Sequence, residues 1–380
     1  MTDLQSHDLA DAAAPDLDEE AIRTFATEVL EPIAESGPAT ETTGPILAEL
    51  SKQGLLDRIL PKRDGKYSIG SALDICRIRT ALAYGSPAAD SVFTMQGLAS
   101  FALISAGTAS QQARWLEPVR TGTAVAAFAL TEPDVGSDAG ALKLSATRSQ
   151  DGWVLNGTKT WITNAQSADI IMTFARTADI PGSKGVSAFL VPTDTEGVTI
   201  TPIEMISPHP IAQVEFNDAK IPADALVGEP ERGFVTAMKT FDVFRPGVGG
   251  AALGMAQRAF DETHVRVQQR EAFGGTLFDK QAIRHELARC AIDLEAARLL
   301  VDEAGRKYDA QAPDRTQAAA KAKFFATEAA QRIIDTAVQF HGAQGLQHGH
   351  IIESLYREVR ATRIYEGASE IQLDIIAKRL

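Results

Sequence analysis

The chain has 380 residues, 44% of them hydrophobic, which excludes a disordered or fibrous protein and leaves room for two or three domains. Its formal net charge of -13 excludes nucleic acid or an anionic membrane as the main partner, since both require a basic face, although a polyphosphate needs only a few local cations. Two cysteines, Cys76 and Cys290, both in apolar helix-like surroundings, allow neither a disulfide framework nor a zinc pattern.

Residues up to about 17 read as frayed. The acidic start, Met-Thr-Asp-Leu-Gln-Ser-His-Asp, lacks the basic opening of a secretory signal and the acid-free, Arg-bearing pattern of a transit peptide. No apolar run approaches the ~20 residues of a membrane span. These features predict a soluble, cytoplasmic protein. Asp18, Glu19 and Glu20 then suit a helix N-terminus, and Ile22, Phe25, Val29 and Leu30 recur at helical spacing. Ile46, Leu47, Leu50, Leu55 and Leu56 form a second amphipathic stretch. Ala72 to Tyr84 and Ser91 to Ala106 read as two more helices, the second apolar all round and therefore buried.

Near Ala124 the texture changes. Short apolar runs alternate with turn residues at Val125–Leu130, Trp153–Leu155, Thr160–Ile162, Ile170–Phe174, Val186–Val191, Val198–Thr201 and Ala212–Phe216. Asn156-Gly157 between two of them predicts a hairpin turn. The spacing predicts a small barrel or sandwich, closed by Pro222 and Gly228. From about Gly233 helical spacing returns over Phe234–Gln269, Lys280–Tyr308, Asp314–Phe340 and Ile351–Lys378, an antiparallel four-helix bundle. The expected units are a helical one over 1–123, a β one over 124–232 and a bundle over 233–380.

Six stretches carry chemistry. Phe128 to Asp138, with Leu130, Thr131 and Ser137, offers hydroxyls and backbone amides suited to a flat heteroaromatic ring or a phosphate, or is an ordinary β-turn loop. On the next strand, alternation places Trp161 and Thr163 on one face, either as the wall of a ring site or as core. Phe241 to Gly250 mimics a dinucleotide fingerprint, but no strand precedes it. Gly247, Gly250 and Gly254 instead share a helical face that lets a ligand or a second helix approach closely. Asp242 and Arg245, three apart, share a face and also suit a surface ion pair. Arg270-Glu-Ala-Phe-Gly274, followed by Gln281, suits a diphosphate or a plain helix end. Gln339-Phe-His-Gly342 and Ala343 form a Gly-rich turn; His341, His348 and His350 have no neighbouring Cys or acid to complete a metal set. Last, Glu366 stands between Tyr365 and Gly367, where an aromatic neighbour makes a carboxylate a stronger base, unless it is a solvated cap.

In this order, these stretches resemble the acyl-CoA dehydrogenase family over nearly the whole chain. The motifs are Leu130-Thr-Glu-Pro-Asp-Val-Gly-Ser-Asp138, Asn156-Gly-Thr-Lys-Thr-Trp-Ile-Thr-Asn164, Arg270-Glu-Ala-Phe-Gly274, Gln339-Phe-His-Gly342 and Tyr365-Glu-Gly367. The resemblance implies FAD bound without a Rossmann fold, in a tetramer built from dimers. It implies that Phe128, Leu130, Thr131, Ser137, Trp161 and Thr163 meet the flavin. Arg270, Phe273, Gln281, Gln339, Gly342 and Ala343 would meet FAD across a subunit interface. Ser137, Asp242, Arg245, Tyr365 and Gly367 would contact the acyl-CoA, and Glu366 would take the α-proton. In some relatives the base matches Phe244, which cannot serve. An electron-transfer flavoprotein is the implied electron acceptor; an oxidase and an enzyme acting on carrier-protein-bound acyl groups are the alternatives on the same scaffold, and a cofactor-free helical interaction protein is the alternative of another class. Three features depart from the family pattern: Ala343, Ala368 and the loop Met205-Ile-Ser-Pro-His-Pro-Ile211. Gln96 falls in a helix that lines the acyl pocket of relatives.

Overall fold

The computed structural model describes residues 17–207 and 209–380; the segment read as frayed lies outside the described residues. Helices come first, then strands, then helices, as the patterning predicts. The Asp18 side chain caps the first helix by accepting from the Ala21 amide at 3.0 Å. Helices Ala39–Lys52, Ala72–Gly85, Pro87–Ala106 and Ala109–Arg120 follow. Pro87–Ala106 is buried along nearly its whole length, which explains its unbroken apolarity.

The β unit is one eight-stranded ladder. Ile170–Arg176 and Val186–Pro192 pair antiparallel within it, buried on both faces apart from their last residues. Ala126–Ala129 runs parallel beside Ile170–Arg176. The long strands Gly152–Thr163 and Ile211–Pro222 pair antiparallel. Ser145–Arg148, a strand that the apolar runs did not signal, joins the two halves.

Asn156-Gly157 is not a hairpin turn. Gly152–Thr163 is one continuous strand, with a register shift between Leu155 and Gly157. The positive φ that suits a turn is spent on a bulge: Gly157 has φ 137°. Asn156 locks the bulge by bonding Asp218 through both ends of its amide, at 2.9 and 3.0 Å.

The bundle helices are Gly233–Gln269, Gln281–Asp309 and Arg315–His341, with the fourth in two pieces, Ile351–Thr362 and Ser369–Ala377. The glycine face of the first receives a helix, as one of the two expected alternatives had it. A methyl group on Gly254 would stand 2.1 Å from the Thr80 carbonyl oxygen, and one on Gly250 2.6 Å from that of Cys76. Helix Ala72–Gly85 thus packs at backbone contact distance and joins the N-terminal helices to the bundle core.

Candidate active site

The break in the fourth helix is the centre of the site. Glu366 and Gly367 have φ of 53° and 95°, which no α-helix can contain. Three side chains hold that backbone open. Lys323 Nζ and Gln372 Nε2 each donate to the Gly367 carbonyl at 2.8 Å, and Arg245 Nε donates to the Glu366 carbonyl at 3.2 Å. Arg363 and Ser369 both donate to Glu328 Oε1, at 2.8 and 2.7 Å, and brace the two sides of the break. A single helix over Ile351–Lys378 is therefore corrected: these buried donors outbid the helical hydrogen bonds.

The Glu366 side chain lines a cavity of about 430 Å³ between the β unit, helix Pro87–Ala106 and the bundle. Burial pushes its carboxyl above the ordinary range, against the opposing pull of Arg79, Arg245 and Lys323. Glu366 Oε2 has no hydrogen-bond partner among the described residues. Nor does the Glu366 N–H donate to any of them.

Phe128, Leu130, Thr131, Trp161, Thr163 and Tyr365 line the same cavity. Trp161 and Thr163 do not get there by alternation. A second register shift lies between Lys159 and Ile162, and Trp161 has φ 61°, so three consecutive residues, Trp161, Ile162 and Thr163, face the cavity. Trp161 remains 53% exposed, a broad apolar ring on the cavity wall. The loop that carries Leu130 and Thr131 is fixed from below. Lys159 Nζ donates to the Leu130 carbonyl and to Glu132 Oε1, both at 2.9 Å, and Glu132 also accepts from the Lys143 and Leu144 amides. Burial lowers the Lys159 pKa to about 8 against the attraction of Glu132.

The remaining expected residues lie elsewhere. Ser137 is exposed on its loop. Asp242 and Arg245 are not part of the cavity wall; Arg245 is buried under the Glu366 carbonyl, and Asp242 accepts from Thr316 at 3.3 Å. Arg270, Phe273, Gln281, Gln339, Gly342 and Ala343 are all exposed. They flank one end of the bundle, where Arg266 donates to the carbonyls of Phe340 and His341 at 3.4 and 3.2 Å. Gln96 faces away from the cavity. Its amide group donates to the Val119 and Ala124 carbonyls and accepts from the Ala126 amide, tying the first strand to the helix.

Other wall residues carried no motif. Arg79, Ser91, Thr94, Met95 and Leu98 come from the N-terminal helices, and Ser207 and His209 from the loop that departs from the family pattern. That departure was the one available signal for the loop. The helical spacing of Ser91, Thr94, Met95 and Leu98 was masked by apolar residues on every face of the helix.

Fold and cavity define a class: a helical, β and helical-bundle protein whose break in the last bundle helix presents a buried carboxylate to an aromatic-floored cavity. Three family models cover the chain in order: the acyl-CoA dehydrogenase N-terminal domain over 17–123, middle domain over 127–219 and C-terminal domain over 231–380. The chain is 43% identical over 281 residues to the mitochondrial short-chain specific acyl-CoA dehydrogenase of Bos taurus, covering 73% of this chain and 68% of that protein. It is 36% identical over 368 residues to the caffeyl-CoA reductase-Etf complex subunit CarC of Acetobacterium woodii, covering 95% of each. The solved structure of butyryl-CoA dehydrogenase from Megasphaera elsdenii is 29% identical and superposes with a TM-score of 0.87, covering 97% of this chain and 99% of that one. The chain belongs to the acyl-CoA dehydrogenase family.

Proposed function

We propose that this protein is an FAD-dependent oxidoreductase that desaturates an acyl-CoA thioester between its α and β carbons, with Glu366 as the base. One observation carries the reading: the unpartnered Glu366 carboxylate and the Trp161, Thr131 and Thr163 wall share a single cavity. A flavin ring fits that wall, because the exposed indole offers an apolar face and the two threonines offer hydroxyls at its edge. When bound, FAD supplies the acceptor for the hydride that leaves the β-carbon.

The protein's own work is proton abstraction. A thioester α-proton is weakly acidic, so the base must be strong and the developing oxygen charge must be met. Burial makes the Glu366 carboxylate a stronger base than a solvated one. The unengaged Glu366 N–H is free to donate to the thioester oxygen. Arg245, Lys323 and Gln372 fix both groups by holding the two carbonyls that follow the N–H.

Ser137, Asp242, Arg245, Tyr365 and Gly367 belong to the acyl-CoA side of this reading. The exposed set of Arg270, Phe273, Gln281, Gln339, Gly342 and Ala343 belongs to FAD reached across an interface in a homotetramer. The Acetobacterium relative, a subunit of a complex with Etf, supports an electron-transfer flavoprotein as acceptor. Among the described residues no helix is long and apolar enough to cross a membrane; a cytoplasmic location completes the reading.

The test is anaerobic bleaching of the FAD-loaded protein by acyl-CoAs, wild type against Glu366→Gln. The variant should retain FAD and slow bleaching by roughly 10²–10⁴-fold, the span of a lost general base. Equal bleaching by the two proteins would remove Glu366 from its role. Peroxide formed in air at the rate of bleaching would favour the oxidase.

A further inference from the structure

The reaction above leaves one part of the cavity wall without a task. Ser91 and Thr94 lie one turn apart on helix Pro87–Ala106 and both line the cavity. Thr94 is 5% exposed, and its hydroxyl has no partner among the described residues, not even the carbonyl one turn back that helical threonines usually take. The same wall includes Arg79, which is 1% exposed. Asp90 takes Arg79 Nε and Nη2 at 2.8 and 2.9 Å, which leaves Nη1 buried and unpaired. Ser91 Oγ lies 3.1 Å from His209 Nδ1, and His209 Nε2 lies 2.5 Å from Glu358 Oε2. Glu358 holds the His209 imidazolium above its ordinary range against the cost of burial. A charged His209 donates from Nδ1 to Ser91, so the Ser91 O–H is left to donate elsewhere.

The rest of the wall is mostly apolar, with Met95, Leu98, Ile211 and Ile364 among its members. A plain hydrocarbon chain would leave the Thr94 hydroxyl, the Ser91 O–H proton and the Arg79 N–H without an acceptor when it expelled water, the arrangement that buried polar groups avoid. We propose that the acyl group taken by this enzyme carries a neutral oxygen, a hydroxyl or a carbonyl, which Ser91 and Thr94 hydrogen-bond. The inference rests on the acyl-CoA reading of the cavity. Charge selects the neutral group. Among the described wall residues the two cations, Arg79 and His209, already face Asp90 and Glu358, and Glu366 lines the same space, so a substrate carboxylate would add a negative charge that neither wall cation is free to balance.

The test is calorimetric titration of the FAD-loaded Glu366→Gln protein, in which binding is read without turnover. The ligands are hexanoyl-CoA, its isomers hydroxylated at each carbon beyond the reacting pair, and adipoyl-CoA. At least one hydroxylated isomer should bind roughly tenfold or more tightly than hexanoyl-CoA, the discrimination of a site built to pair with an oxygen. Adding Ser91→Ala and Thr94→Val, two small substitutions, should bring that ratio to about one. The proposal is overturned by equal binding of hexanoyl-CoA and every hydroxylated isomer, by tightest binding of adipoyl-CoA, or by a preference that survives both substitutions. If the wild type is not bleached by any acyl-CoA while the binding preference holds, the reaction assignment fails and the oxygen site stands. If no acyl-CoA binds, both fall.

Discussion

At the residue scale, Glu366 joins strain to electrostatics. The Tyr-Glu-Gly run was legible because the aromatic, the acid and the glycine occur together. What held it open was not legible, since Lys323 and Arg245 are distant in sequence and are spaced like ordinary helix residues. The pH dependence follows from the burial. Abstraction needs the ionised carboxylate, and burial raises its pKa, so the rate constant of flavin bleaching should rise with pH through a midpoint above the ordinary carboxylate range. Lys323→Met removes a cation that pulls this midpoint down, so the midpoint should move further up. Stopped-flow bleaching across pH reads both. An unmoved midpoint in the variant would mean that Lys323 acts only through its bond to the Gly367 carbonyl.

At the element scale, strand Gly152–Thr163 shows what periodicity cannot reveal. Its two bulges turn the motif into a curved platform, yet a bulge and a hairpin want the same Asn-Gly pair and the same positive φ. Only the partner strand decides between them, and the partner lies about sixty residues downstream. The platform depends on the buried Lys159–Glu132 pair. Lys159→Met should cost about 3–5 kcal/mol in thermal or denaturant unfolding, because it strands a buried carboxylate. Adding Glu132→Gln should recover part of that loss, since the amide oxygen still accepts from a backbone N–H without carrying charge. No recovery would assign the cost to packing. The glycine face of helix Gly233–Gln269 was readable from its spacing, although whether a ligand or a helix filled it was not. Gly254→Ala should push helix Ala72–Gly85 away, because the methyl group meets the Thr80 carbonyl at 2.1 Å and backbone cannot step aside. A loss of about 1–3 kcal/mol is expected.

At the scale of the whole molecule, the cavity and the end of the bundle form two separate surfaces, since none of the exposed bundle-end residues lines the cavity. Phe273 stands 93% exposed at φ 54°. Both features are unfavourable for an aromatic residue unless something outside the chain covers it. Its loop is nonetheless firmly built, with Ala272 N donating to Gly275 O at 2.7 Å, Leu277 N to Arg270 O at 2.9 Å and Lys280 Nζ to Phe273 O at 3.2 Å. A ring held in strain by a preformed loop is presented outward, and the neighbouring Arg270 and Gln339 add polar groups suited to a diphosphate. If this end closes a neighbour's FAD site, Phe273→Ala and Arg270→Ala should release FAD on gel filtration and shift sedimentation away from a particle of four 40.6-kDa chains. The circular-dichroism melt of the single chain should change little, because neither side chain is buried within it. Glu366→Gln, on the other surface, should keep both the colour and the mass. Full flavin content and unchanged sedimentation in the two bundle-end variants would leave the exposed phenylalanine without a partner and confine FAD to one chain.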